Sequence, residues 1–153
     1  MIELINTTKT KINKKKIIAV SEIFLTKFKP IKTDLSIAIV GDWRIRQLNR
    51  DYRGLDKTTD VLSFSPAAWE NNLLGEIIIN PQEIKRLAKY KEILELSGFA
   101  YPPKNLKKTE NYLFYFILIH GLLHLVGYDD ALESDRQVML KLGRDFLHKR
   151  DII

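Results

Sequence analysis

The residues best able to do chemistry lie in one short stretch, His120-Gly121-Leu122-Leu123-His124, followed at once by Gly127-Tyr128-Asp129-Asp130. On a helix, positions four apart are separated by a rise of ~6 Å and share a face. Two imidazoles so placed can bind one transition metal, zinc being the commonest choice. The alternative is two independent core histidines, each satisfied by its own hydrogen bond, since a buried imidazole without a partner is costly. Metalloproteases of the HExxH kind carry a glutamate beside the first histidine as general base. Here that place is Gly121, followed by Leu122 and Leu123, so a protease of that kind is disfavoured.

A third ligand has to come from outside the helix. Gly127 can reverse the chain through a left-handed conformation and bring Asp129 or Asp130 back towards the two histidines. Two histidines and a carboxylate form an accepted zinc set with one position open to water. Asp130 has a competing use, because Asp130-Ala131-Leu132-Glu133 also reads as a capping box that opens the last helix. The remaining histidine, His148, falls in that helix and reads as a surface residue.

Positioning such a pair requires a buried helix and something for it to pack on. From Tyr112 to Val126 the chain is apolar on nearly every face, as a central helix is. Thr109 is its expected cap and Gly127 its stop. Upstream the pattern reads β–α–β–α–β–β–α. Strands are expected at Ile2 to Asn6, Leu35 to Val40, Val61 to Phe64 and Leu73 to Ile79, from β-branched runs and alternation. The last two are separated by a polar loop with Pro66 and Asn71-Asn72, which suggests an antiparallel pair. A helix from Asn13 to about Lys29 carries Ile17, Val20, Phe24 and Phe28 at helical spacing and ends at Pro30. Asp42 is an expected N-cap for a helix with Ile45, Leu48 and Tyr52, closed by Gly54. Asn80-Pro81-Gln82-Glu83 is a strong helix start for a stripe of Ile84, Leu87, Ala88 and Leu94. The final helix, Leu132 to Arg150, is expected to turn Val138, Leu142, Phe146 and Leu147 inward. The fold class is therefore α+β: a single domain over 1–153, with a mixed four-stranded sheet containing one antiparallel strand, and helices packed around a buried helix that bears HxxxH.

The 153 residues suffice for a real core, and their 45% hydrophobic and 29% charged content suits a globular domain rather than a disordered chain. The absence of cysteine excludes disulfides and cysteine-based zinc sites and fits a reducing, cytoplasmic setting. No apolar run is long enough for a membrane span. The net charge of +6 is unevenly spread. Residues 1–33 hold eight lysines against Glu3 and Glu22, whereas the remainder is balanced. A basic end of this kind attracts polyanions such as nucleic acid; the plainer reading is a solvated helix face.

The segment from His120 to Asp130, HGLLHLVGYDD, resembles the HGxLHLxGYDH signature of the YbeY family of bacterial metal-dependent endoribonucleases and rRNA maturation factors. Two further blocks match in order and separation. They are Leu48-Asn49-Arg50-Asp51-Tyr52-Arg53-Gly54 with Asp56 and Thr59-Asp60-Val61-Leu62-Ser63-Phe64, and Leu74-Gly75-Glu76-Ile77-Ile78-Ile79. The resemblance spans nearly the whole chain and implies one divalent metal ion, taken as zinc, on His120, His124 and the position of Asp130. There the family has a third histidine, so the ligand set is altered. The resemblance also implies a functional arginine at Arg53. A guanidinium fork suits phosphate oxygens, against the alternative of a surface ion pair with Asp51 or Asp56.

The resemblance implies a metal-dependent endoribonuclease that cuts single-stranded RNA during ribosomal RNA maturation and ribosome quality control in the cytoplasm, with rRNA and ribosomal proteins as partners. The missing histidine keeps a second reading open, a non-catalytic rRNA-binding maturation factor with a weakened or lost metal site. In either reading the lysines of the N-terminal third, or Lys104, Lys107 and Lys108, are candidates to track the RNA backbone.

Overall fold

Four strands carry the hydrophobic alternation that the sequence announces, and the helices sort themselves onto the two faces that this alternation creates. The computed structural model describes residues 1–29, 31–68, 70 and 72–150, so the expected roles of Pro30 and Asn71 lie outside the described residues. In chain order the elements are β1 (Ile2–Asn6), α1 (Lys14–Phe28), β2 (Asp34–Ile39), α2 (Asp42–Arg53), β3 (Val61–Phe64), β4 (Leu73–Ile79), α3 (Pro81–Ile84), a 3-10 turn (Leu87–Tyr90), α4 (Lys91–Leu96), α5 (Leu106–Leu125) and α6 (Glu133–Lys149). The sheet order is β1-β2-β4-β3. β1 and β4 run parallel to β2, and β3 is the antiparallel edge strand, with Val61 opposite Ile79 and Phe64 opposite Glu76.

Alternate residues of each strand serve opposite faces. Leu35, Ile37, Ile39, Ile77 and Ile79 join the main core with α1, α5 and α6. Leu62 and Ile78 face the other way and form a smaller core with Val40 and with Ile45 and Leu48 of α2. α5 is covered by the sheet on one side and by α1 and α6 on others. Eleven of its 20 residues are buried, which is why its sequence is apolar all round. Each fully buried large aliphatic or aromatic side chain contributes roughly 1.5–3 kcal/mol, so this helix anchors the fold.

Four local expectations are corrected. Asn105, not Thr109, caps α5, accepting from the Lys108 amide at 3.0 Å; the Thr109 hydroxyl bonds back to the Asn105 carbonyl inside the helix. Gly41 rather than Asp42 caps α2, because the Asp42 carboxylate is taken up by Arg86, Asn80 and Thr58. The single helix expected after Asn80 is broken into α3, the 3-10 turn and α4. At the break Arg86 leaves helical geometry and pairs with Glu83 and Asp42, and Tyr90 turns inward to donate to Asp60 at 2.9 Å. In α6 the buried stripe is Met139, Leu140, Gly143, Phe146 and Leu147, leaving Val138 half exposed and Leu142 only partly covered. Gly143 lies against the Phe116 ring within this buried stripe.

The Asp42–Arg86 pair ties the start of α2 to the segment after α3 at 2.6 Å. The Arg86 guanidinium holds the Asp42 carboxyl at about 2, below its ordinary value of 3.8. A depressed folded-state value means that the pair stabilises the fold above the unfolded value and loses this contribution as pH falls towards about 2. Asp42→Asn should therefore lower stability at neutral pH by ~1 kcal/mol or less, because solvent screens a partly exposed pair. Thermal melts across acid pH should show the gap to wild type closing as pH approaches about 2.

Candidate active site

The site begins with the contact between α5 and the edge strand β3. A Cβ on Gly121 would stand 3.0 Å from Val61 Cγ2 and 3.2 Å from Ser63 Oγ, so glycine lets the helix lie this close without either side chain giving way. The Ser63 hydroxyl uses the approach and donates to the Gly121 carbonyl at 2.9 Å. His120, one residue before this contact, and His124, three residues after it, lie on the helix face that borders the cleft beside β3.

His120 and His124 turn to one spot, as their spacing predicts. Their rings lie 4.9 Å apart at 88°. After α5 the chain reverses at Gly127, whose φ of 105° few other residues adopt. Asp129 Oδ1 then accepts from the amides of Asp130 and Ala131, at 2.7 and 3.2 Å, and this turn aims Asp130 back at the helix. Asp130 Oδ2 lies 3.1 Å from His120 Nε2 and 3.4 Å from His124 Nε2. One donor atom from each of the three residues falls within 4.8 Å of the others. The cap alternative for Asp130 is not taken up: Leu132 is the N-cap of α6 and no side chain caps it. His148 takes no part. It is exposed and lies 3.2 Å from the Tyr112 hydroxyl.

The chemistry of these groups suits a cation. His124 Nδ1 lies 3.1 Å from the Tyr128 carbonyl, an acceptor that would take the Nδ1 proton when Nε2 serves as a metal ligand. Burial, then the neighbouring His124, lowers the pKa of His120, while Asp130 opposes the shift; the net effect favours the neutral, ligating form.

These groups open onto a cleft of about 750 Å³ that is also lined by Tyr52, Arg53, Asp60, Phe64 and Arg136. Arg53, at the end of α2, reaches this cleft from the opposite face of the sheet. The ion pairs that would have occupied it are made by others, Arg50 with Asp51 and Arg46 with Asp56, and Arg53 makes none among the described residues. Two lining groups escaped notice in the sequence. Asp60 is half-buried at the head of β3, where desolvation raises its pKa and the Tyr90 hydroxyl bond works against that shift. Its signal was a carboxylate immediately before an apolar strand. Arg136 pairs with Glu92 at 2.8 Å, and nothing local in the sequence marked it.

A family model described as Endoribonuclease YbeY matches residues 3–151. The chain belongs to the YbeY family. Among curated members named Endoribonuclease YbeY, that of Halalkalibacterium halodurans is 33% identical over 126 residues, covering 74% of this chain and 70% of the relative. That of Nitratiruptor sp. is 45% identical over 105 residues, 69% of this chain and 61% of the relative. That of Anaplasma phagocytophilum is 34% identical over 135 residues, 88% and 76% respectively. The solution structure of TM1509 from Thermotoga maritima shares the fold, with a TM-score of 0.54 at 20% identity, over 98% of this chain and 91% of that one. This bears out the α+β architecture expected from the YbeY resemblance.

Gly121→Ala tests the contact on which the site rests. Alanine favours a helix by up to ~1 kcal/mol, whereas overpacking costs ~1–3 kcal/mol. Packing should win, with a net loss of about 1 kcal/mol in denaturant unfolding. A gain in stability would show that α5 and β3 separate freely.

Proposed function

We propose that the protein is a metal-dependent endoribonuclease, specific for single strands, acting in ribosomal RNA maturation and ribosome quality control in the cytoplasm. Ribosomal RNA is its substrate, and ribosomal proteins are among its partners. The observation that carries this reading is the convergence of His120 Nε2, His124 Nε2 and Asp130 Oδ2 on a cleft that also holds Arg53, a guanidinium with no ion pair among the described residues. Membership of the YbeY family supports it.

His120, His124 and Asp130 would hold one divalent metal ion, and two imidazoles with a carboxylate suit zinc. A divalent ion there supplies Lewis acidity, polarising a phosphoryl oxygen and acidifying water. The protein's own groups do the rest. Arg53 binds the phosphate through two parallel donors and offsets the charge that builds on its oxygens. Asp60 lines the same wall, its carboxyl raised above the ordinary carboxylate value by desolvation, and would offer a proton acceptor near the reacting phosphate. Tyr52, 72% exposed, lies 5.4 Å from the Phe64 ring beside Arg53. An unpaired base can stack on that pair of rings, whereas a base inside a duplex is already stacked, and this supports selection of single strands.

Two sets of variants test the reading. Asp130→His restores the family's third imidazole and should raise metal occupancy, while Asp130→Ala should abolish both bound metal and RNA cleavage, measured by metal analysis and gel assay. An alanine variant that keeps both would remove Asp130 from the site; wild-type protein with no metal and no cleavage would favour the non-catalytic maturation factor. Tyr52→Ala should leave the fold intact and lower kcat/KM on single-stranded RNA by roughly tenfold, since stacking one base contributes ~1–3 kcal/mol.

A further inference from the structure

A second cleft, of about 570 Å³, lies at the other end of α5. Its rim carries Lys11, from the segment before α1, Lys85, just after α3, and Lys107 and Lys108, from the first turn of α5. All four are exposed, and none makes an ion pair among the described residues. One carboxylate, Glu110, shares the lining. A neighbouring hollow of about 340 Å³ meets this cleft at Asn105 and Lys108 and adds Lys104.

The charge placement is unfavourable for the protein alone. The N-terminus of a helix carries positive partial charge and prefers acidic residues, yet α5 has none in its first turn and has two lysines there. Such an arrangement gains from an anion. Beneath the lysines the lining is apolar, with Ile12, Ile84 and the half-buried Phe114. Lys16 completes the basic surround, its Nζ lying 4.9 Å from the centre of the Tyr115 ring. A basic rim over an apolar, aromatic-bearing floor matches the two faces of an unpaired nucleotide, with phosphate outside and base inside. The volume is that of a site for a small ligand, enough for a nucleotide rather than a duplex.

We infer that this cleft is a second RNA-binding site, which holds a single-stranded segment of the substrate away from the reacting phosphate, the strand's phosphates on Lys11, Lys85, Lys107 and Lys108 and a base on Phe114. The inference rests on the proposed action on RNA, but it is read by binding alone, so it can fail independently of cleavage.

The experiment uses fluorescence anisotropy of a labelled single-stranded RNA long enough to reach both clefts, with EDTA present, over a range of salt. Lys107→Gln/Lys108→Gln is compared with Lys141→Gln/Lys149→Gln, a pair of equal charge on α6 that lines neither cleft. The first pair should weaken binding and reduce the log–log salt slope by about 1.4, at roughly 0.7 per phosphate contact on a single strand. The control pair should follow wild type. The first pair should also melt no lower than wild type, because it removes cations from a helix N-terminus. Phe114→Leu, which keeps an apolar floor but removes the flat ring, should weaken binding roughly five- to tenfold. Equal losses from both lysine pairs would reduce the effect to net charge and overturn the site. An unchanged slope in the first pair would overturn it outright, as would a duplex RNA that binds as tightly as the single strand with the same dependence on Phe114.

Discussion

The approach of α5 to β3 at Gly121 is the contact on which the rest of the site depends. The two cores of the molecule lie on opposite faces of one sheet, and residues from both must meet for His120, His124 and Arg53 to share a cleft. They meet around the edge strand, which is only four residues long. Val61 and Ser63 point towards α5 and Leu62 towards α2, so this short strand lies between the elements that carry the imidazoles and the arginine. Any side chain larger than hydrogen at Gly121 would crowd that strand. The same residue stands where a metalloprotease would carry its general base. Here the place is used for packing rather than for proton transfer.

Much of this arrangement was legible in the sequence. The four strands, the antiparallel pair and the buried helix followed from alternation and from an apolar stretch too uniform to be a surface helix. The convergence of His120 and His124 followed from their spacing, which fixes a shared face whatever surrounds it. Three of the four corrected expectations share a cause, a residue whose partner is distant in sequence; the fourth, the cap of α5, is a shift of one turn from Thr109 to Asn105. Asp42 looked like a cap because caps are local, yet its carboxylate is claimed by Arg86, 44 residues later. The helix after Asn80 looked continuous because its apolar spacing is regular, yet it breaks so that Tyr90 can reach Asp60. In α6 the apolar residues allow more than one inward face, and packing on α5, remote in sequence, buries Met139 and Leu140 with Phe146 and Leu147 while Val138 stays half exposed. Asp130 could not be assigned between cap and turn from its neighbours alone; the carboxylate of Asp129, which captures two amides, decides where it points.

Asp130, where the YbeY resemblance implies a histidine, places a carboxylate 3.1 and 3.4 Å from the two imidazoles. Three neutral imidazoles would leave the full charge of a divalent ion to act on substrate. A carboxylate cancels one unit of it, which weakens attraction for phosphate and raises the importance of other cations nearby. The free guanidinium of Arg53 stands on the same cleft. Arg136 also lines it, but Glu92 already engages that residue. In the proposed reaction the burden of holding the phosphate would therefore fall on Arg53, a side chain from the opposite face of the sheet.

A geometric constant follows from α5 being one uninterrupted helix. Lys108 and His120 belong to the same rod, twelve residues apart, so the axial distance between the two clefts is ~18 Å at 1.5 Å per residue. Motion in the surrounding loops leaves this interval unchanged, since the rod is clamped along its length by the sheet, α1 and α6. The molecule thus contains a ruler, and its length is set by the number of residues in a helix rather than by any hinge.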